Sequence, residues 1–302
     1  MRLAVTGRNG QVAMSLVERA AGRPDVTAIA VGRPDLDLAA PDTVAPALAA
    51  AAPDVIVSAA AYTAVDRAED EPDRAFAVNE EGARHVAAAA ARLGVPVIHL
   101  STDYVFDGEA DRPYREDDAV APRGVYGASK LAGERAVAAA NPRHLILRTA
   151  WVYSPFGGNF VKTMLRLAGE RDALSVVADQ HGNPTSALDI ADGVLAAAAA
   201  MVAADGRPAP CGLYHLAGGG TASWADFARF VLAASAALGG PTAPVRDIAT
   251  SEFPTRAVRP ANSRLDTARF AADFGWTAPP WQRSAEAVVR RLLAAGEEGR
   301  TA

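Results

Sequence analysis

The sequence predicts an α/β fold, in which a doubly wound parallel sheet forms the larger part and a smaller C-terminal lobe is interleaved with it. Three observations lead to this prediction. In the first half of the chain, short apolar runs alternate with longer segments of helical pattern. The apolar runs are continuous, as expected of strands whose two faces are both covered by helices. Strand–helix alternation builds right-handed βαβ units, and the first of these units turns through glycines.

The elements of the predicted sheet follow in chain order. Strands are predicted over residues 3–5, 26–31, 55–57, 97–100 and 145–147. Helices are predicted over about 10–21, 42–51 and 125–140, and a long helical segment ends near Leu93, where Gly94 is a suitable stop. After residue 150, Pro and Gly become frequent and the loops lengthen. We therefore expect residues 1–150 to form the sheet domain and residues 151–302 the smaller lobe, which also supplies the last elements of the sheet.

Composition excludes several classes of protein. The chain has 302 residues, half of them hydrophobic, which suffices for one large α/β domain or two lobes that share a cleft. The net charge of -5 argues against nucleic acid or anionic lipid as the main partner. A single cysteine, Cys211, rules out an internal disulfide and suits a reducing compartment. Neither a leader-like segment nor an apolar run long enough to span a bilayer is visible, so we expect a soluble cytoplasmic protein.

The first predicted strand leads into VTGRNGQVA, which places Gly7, Gly10 and Ala13 in a G-x-x-G-x-x-A pattern. The two glycines permit a tight turn and a close approach of the backbone to a pyrophosphate. The following helix would point its N-terminal amides at that anion. An ordinary strand–turn–helix is the alternative, but the place of the motif in the first βα unit favours a dinucleotide site in a Rossmann-type domain.

The fourth predicted strand runs into polar residues in VIHLSTDYVFDG. His99 lies among its apolar residues, and Thr102 and Asp103 follow at its carboxyl end. In parallel α/β sheets ligands bind at that end of the strands, so these polar groups are expected to line a crevice. A loop or helix-capping hydroxyl is the alternative for Thr102.

The next helix begins with VYGASK, in which Tyr126 and Lys130 are four residues apart and therefore share one face. A nearby ammonium favours the phenolate, so we expect Lys130 to lower the pKa of Tyr126 toward neutrality. The pair is common by chance on helices. Together with Thr102 and the glycine loop on the same edge, however, it forms the set of groups that reduction of a carbonyl by hydride requires.

The sequence resembles the extended short-chain dehydrogenase/reductases and, within them, the dTDP-4-dehydrorhamnose reductase family. The blocks that carry the resemblance occur in order along essentially the whole chain. They are TGRNGQVA, PDVIVSAAAYTAVDRAE, VIHLSTDYVFDG, VYGASKLAGE, LILRTAWVYSPFGGNF, KTMLRLAGER, DQHGNPTSALDIAD, GLYHLAGGG and RPANSRLD. The resemblance implies a reductase that uses NADPH or NADH to reduce a dTDP-4-keto-6-deoxysugar.

The resemblance also implies roles for individual residues. Tyr126 would donate the proton, Lys130 would hold the nicotinamide ribose and the tyrosine, and Thr102 would hydrogen-bond the reacting oxygen. Asp103 would contact the substrate beside it, and Trp151 would pack on the sugar or its nucleotide, unless it is a core aromatic. The expected cofactor-binding residues are Gly7, Arg8, Asn9, Gly10, Gln11 and Val12 after the first strand, Arg33, Asp37 and Leu38 after the second, and Ala61, Tyr62 and Thr63 after the third.

The end of the second predicted strand departs from the pattern of the relatives. Many of them have an acidic residue there, which bonds the ribose hydroxyls of adenosine. This chain has Gly32 and Arg33 at that point, with Arg8 close by in the glycine loop. Two guanidinium groups suit the 2′-phosphate of NADPH, so we expect NADPH to be preferred and NADH to be tolerated. Asp35 and Asp37 are the main objection to this preference, because a carboxylate turned toward the ribose would favour NADH.

A second departure concerns metal. Some relatives hold Mg²⁺ with glutamates at a dimer contact, whereas Ser15, Ala187 and Leu188 occupy that region in this chain. We therefore expect no metal site, and a monomer or weak homodimer.

The C-terminal lobe is expected to bind the substrate. Arg256, Arg259 and Arg264 crowd one loop region, and guanidinium groups suit bidentate contact with a diphosphate. An ordinary solvated loop with ion pairs is the alternative. Further polar candidates from matching loops are Asn159, Gln180 and Asn262.

Two other functions stay open at this stage. One is the same reduction on a different dTDP-4-keto sugar, as in antibiotic glycosylation. The other is a non-catalytic regulatory subunit, a use of this fold known from the β subunit of methionine adenosyltransferase. Retention of Thr102, Tyr126 and Lys130 favours an enzyme.

Overall fold

The structure is a computed structural model that describes residues 1–203 and 209–301, with side chains up to residue 295. The strands of its main sheet are β1 (Arg2–Thr6), β2 (Thr27–Val31), β3 (Val55–Ser58), β4 (Val97–Thr102), β5 (His144–Thr149) and β10 (Gly212–His215). Shorter strands are β6 (Val152–Tyr153), β7 (Leu174–Val177), β8 (His181–Gly182), β9 (Thr185–Ser186), β11 (Ala222–Ser223), β12 (Val245–Ile248) and β13 (Asn262–Ser263).

Helices connect these strands. They are α1 (Gln11–Ala21), α2 (Pro41–Ala50), α3 (Val65–Ala68), α4 (Pro72–Phe76), α5 (Ala83–Leu93), α6 (Val125–Ala140), α7 (Phe160–Glu170), α8 (Ala187–Val202), α9 (Trp224–Ala237), α10 (Ala268–Phe274) and α11 (Trp281–Thr301). A π-helical turn (Ala77–Gly82) joins α4 to α5, and 3-10 turns follow β4 (Asp103–Val105) and β12 (Thr250–Glu252).

The main sheet is parallel throughout and has the strand order β2-β1-β3-β4-β5-β10. The chain steps from β1 outward to β2, returns to β3 on the other side of β1, and then continues in the opposite direction. Strand order therefore reverses beside β1, and in sheets of this kind the crevice for a ligand opens at such a reversal, at the carboxyl ends of the strands. The predicted α/β doubly wound class is confirmed.

Apolar packing on both faces explains why the strands read as continuous apolar runs. Val5 and Val57 point to one face, where they pack with α1 and α8 around Leu16 and Ile190. The alternate residues of the same strands, such as Ile56, point to the other face, where α2 and α5 cover them. Successive side chains of a strand point to opposite faces, so covering both faces requires apolar residues at every position.

The second half of the chain contributes to both parts of the molecule. Strand β10 extends the main sheet beside β5, and α8 packs on α1. The remaining elements form a second core from α7, α9 and α11, in which Tyr153, Phe227 and Trp281 are buried. The division at residue 150 stays a prediction.

The predicted elements agree with the structure except at their ends and in the helical segment before Gly94. Strand β4 continues two residues past Leu100, so Ser101 and Thr102 belong to the strand itself and Asp103 begins the 3-10 turn. The long helical segment that ends at Leu93 is broken into α3, α4, the π-helical turn and α5. Gly94 follows α5 in the left-handed conformation, with φ of +69°, as expected of a helix stop.

The residues at the expected position of a metal in some relatives are Ser15 of α1 and Ala187 and Leu188 of α8. Ser15 and Ala187 are fully buried, and Ser15 Oγ donates to the carbonyl of Gln11 at 2.8 Å. Leu188 is half-buried. The absence of a metal site stays a prediction.

Over residues 1–203 and 209–301, no helix combines the length and the apolar content that crossing a bilayer requires.

Helix α6 lies unusually close to the π-helical turn. A Cβ on Gly133 of α6 would come within 3.0 Å of the carbonyl oxygen of Asn79. That oxygen belongs to the backbone of a buried residue, so it has little room to move. Close approach of α6 to this turn therefore requires glycine at position 133.

We predict that Gly133→Ala lowers the free energy of unfolding by roughly 2–4 kcal/mol, because the added methyl group forces two backbone segments apart. Gly169→Ala is the matched control: it lies in α7, and the nearest atom to its Cβ would be Pro241 Cβ at 3.8 Å. Alanine there should leave stability unchanged or raise it slightly. Urea denaturation of both variants measures the difference, and equal stability would show that α6 can shift freely.

Candidate active site

The carboxyl edge of the sheet brings together the three residues expected to react. Strand β4 ends at Thr102, and α6 places Tyr126 and Lys130 over that edge one turn apart. A Cβ on Gly127 would come within 3.0 Å of the Tyr104 carbonyl oxygen, so the start of α6 sits directly against the end of β4. The rings of Tyr104 and Tyr126 meet edge to face, with centroids 5.5 Å apart.

Tyr126 is a neutral phenol in this structure. Burial raises the pKa of Tyr126 above its ordinary value, and the charge of Asp103 adds to the rise, whereas a hydrogen bond with Thr102 lowers it. The expected shift of this pKa toward neutrality is wrong, because burial dominates and the Lys130 ammonium donates to the Leu100 carbonyl at 2.6 Å. A protonated phenol at neutral pH is nevertheless the form that a proton donor needs.

Lys130 is buried, with 3% of its surface exposed. Burial lowers the pKa of Lys130 to about 8, and the nearby Glu134 carboxylate opposes that effect. Its Nζ lies 3.3 Å from His99 Nε2 in addition to the Leu100 carbonyl. At neutral pH most molecules therefore carry an ammonium group at this position.

Thr102 and Asp103 form a hydrogen-bonded pair at the end of β4. Thr102 Oγ1 donates to Asp103 Oδ1 at 3.0 Å and accepts from the Tyr104 amide at 3.3 Å, so it also caps the 3-10 turn. Asp103 Oδ2 is buried and has no hydrogen-bond partner among the described residues. Burial raises the pKa of Asp103 to about 6, and the polar neighbours Ser263 and Thr102 oppose that rise. Such an unpartnered carboxylate oxygen is suited to accept a hydroxyl of a ligand.

The glycine loop after β1 has the geometry of an anion site. Gly7 has φ of +96°, and its amide donates to the Val31 carbonyl at 2.7 Å, which fixes a tight turn at the reversal of strand order. Gly10 is exposed and immediately precedes α1, so the first amides of that helix open toward the rim. Asn9 is exposed beside it and Val12 is half-buried in the first turn.

The loop after β2 holds groups of both signs. The guanidinium of Arg8 forms an ion pair with Asp35. Arg33 is exposed. Asp37 Oδ1 accepts from the backbone amide two residues further on at 3.0 Å, and Leu38 is buried in the core. Arg8, Arg33 and Asp35 are thus charged side chains of this rim that are exposed to solvent, and Asp37 is half-buried.

The loop after β3 contains Ala61, Tyr62 and Thr63. It is held by Asn79, a residue that sequence reasoning missed. Asn79 Oδ1 accepts from the Tyr62 amide at 2.8 Å, and its Nδ2 donates to the Tyr62 carbonyl at 3.1 Å and to Ser129 Oγ at 3.0 Å. This buried amide joins the loop to α6, and its only sequence signal is a polar residue in an otherwise helical segment.

Trp151 packs on another aromatic residue. Its ring stacks on Trp224 with centroids 3.6 Å apart and lies against Gly182, where a Cβ would overlap it. Its φ of +47° is a strained value for a residue with a side chain. Trp151 is half-buried, so part of its surface packs against the second core and part is open to solvent.

Asn159 contacts Gln11, the first residue of α1. It caps α7, and its Nδ2 donates to Gln11 Oε1 at 3.2 Å and to the Ser154 carbonyl at 2.8 Å. Ser154 Oγ donates to the same Gln11 oxygen at 2.8 Å. The expected substrate residue Asn159 and the expected cofactor residue Gln11 therefore form one polar cluster.

Gln180 and Asn262 make their hydrogen bonds within the protein. Gln180 Nε2 donates to Thr250 Oγ1 at 3.1 Å. Asn262 Nδ2 donates to the carbonyls of Ala110 and Arg112 at 2.9 and 2.8 Å, and its Oδ1 accepts from Arg264 Nε at 2.7 Å. Asn262 lines a cavity, and Gln180 lies in the chain between two further lining residues of that cavity, Asp179 and His181.

A cavity of about 530 Å³ opens between the two halves. Arg259, Arg264, Arg123 and His181 are among its lining residues. Arg256 is absent from this lining and forms an ion pair with Asp70, so the expected cluster of three arginines contributes two of them to the cavity.

Arg259 links the lobe to the sheet domain. Its NH2 group lies 2.5 Å from Asp66 Oδ2, and its NH1 group donates to Tyr104 Oη at 3.3 Å. Asp66 Oδ1 also accepts from the Ala257 amide at 3.1 Å. Asp66, which sequence reasoning did not single out, therefore orients the guanidinium of Arg259.

Comparison with known proteins assigns the family. A family model described as the RmlD substrate binding domain matches residues 1–294. A curated dTDP-4-dehydrorhamnose reductase from Sinorhizobium fredii is 54% identical over 298 residues, which cover 99% of this chain and 100% of that protein. The chain belongs to the dTDP-4-dehydrorhamnose reductase family.

Solved structures agree with this family. A dTDP-4-dehydrorhamnose reductase from Clostridium acetobutylicum superposes with a TM-score of 0.89 at 36% identity, covering 97% of this chain and 100% of that one. The structure of the Bacillus anthracis enzyme in complex with NADP has a TM-score of 0.86 at 34% identity, covering 96% and 99%.

We predict that Asp103→Asn raises stability at neutral pH. The pKa of Asp103 rises from 3.8 to about 6 on folding, so the folded state binds more protons between these values and loses stability as pH rises through them. Removing the carboxylate should add roughly 2–3 kcal/mol to the free energy of unfolding at pH 7.5 and little at pH 4.

Asp118→Asn is the opposite control, because a hydrogen bond from Arg112 lowers the pKa of Asp118 to about 2. This variant should lose stability at pH 7.5. Urea denaturation of both variants at both pH values measures the free energy of unfolding. A loss of stability in Asp103→Asn at pH 7.5 would contradict the claim that the buried Asp103 carboxylate destabilises the fold.

Proposed function

We propose that this protein reduces the 4-keto group of dTDP-4-dehydro-L-rhamnose to form dTDP-L-rhamnose, with NADPH as the reductant. The observation that carries the proposal is the position of Thr102, Tyr126 and Lys130 on one edge of the sheet, beside the glycine turn of Gly7. A dinucleotide site, a proton donor and a fixed positive charge at one point are the groups that this reaction needs.

The chemistry divides between cofactor and protein. Bound NADPH supplies a hydride to the carbonyl carbon of the substrate. Thr102 hydrogen-bonds the carbonyl oxygen and holds it near the phenol. Tyr126 donates its proton to that oxygen, so that the C=O group becomes CH–OH and the phenolate remains on the enzyme. Lys130 stabilises the phenolate through its ammonium charge and binds the nicotinamide ribose.

The residues around β1 and β2 fit a phosphorylated dinucleotide. Gly7 allows the backbone to approach a pyrophosphate, and the open first turn of α1 after Gly10 offers amide donors to it. Arg8 and Arg33 lie where the adenosine ribose is expected, and the 2′-phosphate would replace Asp35 as the partner of Arg8. Ala61, Tyr62 and Thr63 border the cofactor on the other side.

The cavity between the halves fits the nucleotide sugar. Arg259 and Arg264 suit its diphosphate, since guanidinium groups bind phosphate oxygens in a bidentate manner. Asp103 Oδ2 is available to a sugar hydroxyl, and the free part of the Trp151 ring would contact the sugar or its base. The site is supported by the hydrogen bonds that Asn159, Gln180 and Asn262 make within the protein.

We assign the enzyme to the cytoplasm, as a monomer or weak homodimer without nucleic acid or membrane partners. The single cysteine and the net charge of -5 support this assignment.

Turnover of dTDP-4-dehydro-L-rhamnose with NADPH, followed by NMR of the product, tests the proposal. We expect consumption of NADPH and the rhamno configuration at C4. A product with the opposite configuration would indicate a reductase for another dTDP-deoxysugar, and absence of turnover would contradict the proposed activity.

We predict that Tyr126→Phe lowers kcat by about 10²- to 10⁴-fold, the usual contribution of a general acid, and leaves the Kd of NADPH nearly unchanged. Lys130→Met should lower kcat as well and should also weaken NADPH binding, because the lysine contacts the ribose. Stopped-flow reduction and fluorescence titration measure the two quantities. Near-normal turnover of Tyr126→Phe would remove this residue from the mechanism.

We predict that the enzyme prefers NADPH to NADH in kcat/KM, and that Arg8→Ala or Arg33→Ala reduces the preference by about tenfold each. A hydrogen bond to a charged group contributes about 1.5–3 kcal/mol, which corresponds to at least this factor. Asp35→Asn should increase the preference, since it frees Arg8 from its ion pair. If both alanine variants keep the wild-type ratio, neither arginine binds the 2′-phosphate.

A further inference from the structure

Strand β4 carries one ionisable side chain within its apolar run, His99. Its imidazole is 1% exposed. Nδ1 lies 3.1 Å from Ser58 Oγ, on the neighbouring strand β3, and Nε2 lies 3.3 Å from Lys130 Nζ, on α6. Ser58 and His99 are paired in the register of β3 and β4, so the sheet itself makes their side chains neighbours. A buried imidazole with a partner at each nitrogen has a defined tautomer.

The partners decide that tautomer. Burial and the charge of Lys130 hold the pKa of His99 well below its ordinary value, so the imidazole is neutral. An ammonium group only donates hydrogen bonds, so Nε2 of His99 must be the acceptor. The proton then resides on Nδ1, which donates to Ser58 Oγ.

Lys130 therefore has two of its three N–H groups fixed inside the protein. One donates to the Leu100 carbonyl at 2.6 Å and one to His99 Nε2. The third is left for the rim, where Tyr126 and the nicotinamide ribose are expected. Ser58 is itself 1% exposed, so this chain of contacts runs into the core.

We propose that His99 is a positioning residue whose neutral Nε2 anchors the Lys130 ammonium and aims its remaining N–H group at the cofactor and Tyr126. This inference rests on the role proposed above for Lys130. It assigns a function to a buried histidine that proton donation, hydride transfer and substrate contact leave unused.

The charged and titratable groups around Lys130 set the pH dependence. Glu134 on α6 favours the ammonium form, and it is itself bonded to Arg148 on β5. Tyr126 on α6 is neutral, and Asp103 follows β4. A variant that lacks the His99 acceptor but keeps these neighbours has one hydrogen bond fewer to the ammonium. The pKa of Lys130 should therefore fall below its value of about 8.

Two isosteric variants separate the two contacts of His99. The amide oxygen of glutamine reaches the position of Nε2, so His99→Gln keeps an acceptor for Lys130. The shorter amide of asparagine reaches only the position of Nδ1, so His99→Asn keeps the contact with Ser58 and loses the lysine. Both variants place an amide in the same buried pocket, and near-UV circular dichroism and Tm check that each is folded.

We expect His99→Asn to weaken NADPH binding by about tenfold or more, and to move the alkaline decline of binding to lower pH. His99→Gln should bind NADPH within about threefold of wild type, with the decline at the wild-type pH. Fluorescence titration of NADPH between neutral and alkaline pH measures both effects without turnover. In the Lys130→Met background, His99→Asn should add nothing, because the contact is already lost.

Equal binding and equal pH dependence in wild type and His99→Asn, with weakened binding in Lys130→Met, would overturn the inference and leave the proposed function intact. Unchanged binding in Lys130→Met would overturn both the role of Lys130 and the inference. Nitrogen-15 NMR gives an independent check: we expect His99 to carry its proton on Nδ1, and a proton on Nε2 would contradict the anchor.

Discussion

The buried ion pair of Glu134 and Arg148 determines where α6, the helix of Tyr126 and Lys130, lies on the sheet. Glu134 of α6 receives two hydrogen bonds from Arg148 of β5, at 2.8 and 2.7 Å, and a third from Ser101 of β4 at 2.5 Å. Both charged side chains are almost fully buried, so neither can leave the other without a large desolvation penalty. The pair therefore fixes the rotation of α6 over two strands. Tyr126 and Lys130, on the preceding turns of the same helix, inherit their positions from it.

The sequence predicts the strands and helices that build this site more completely than it predicts the pKa shifts of the side chains. Continuous apolar runs identified β1, β3, β4 and β5, because burial on both faces leaves no other pattern, and the edge position of Thr102 followed from the end of β4. The pKa of Tyr126 was predicted in the wrong direction, since the spacing of Tyr126 and Lys130 shows a shared face but not what else the lysine can reach. Contacts such as His99 to Lys130 join residues 31 positions apart and depend on the tilt of α6, which no local pattern encodes.

The two halves of the molecule are joined by polar contacts on both sides of the cleft. On one side Gln11 of the first helix receives hydrogen bonds from Ser154 and Asn159. On the other side Asp66, in the segment after β3, holds the backbone and the guanidinium of the loop that carries Arg259. The residues expected to bind cofactor and those expected to bind substrate are thus bonded to one another. Asn159, which the sequence assigns to the substrate, therefore contacts Gln11, which the sequence assigns to the cofactor.

Burial acts on every titratable group of the reactive edge in the same sense. It raises the pKa of Tyr126 and brings that of Asp103 to about 6, and it lowers the pKa of Lys130 to about 8 and that of His99 well below its ordinary range. Each group is pushed toward its neutral form, so Lys130 is the cation closest to losing its charge near neutral pH. In the proposed reaction Tyr126 gives up its proton and the phenolate forms in a poorly solvated place, where the Lys130 ammonium on the same helix face would stabilise it. The contacts that keep Lys130 charged would then support proton transfer.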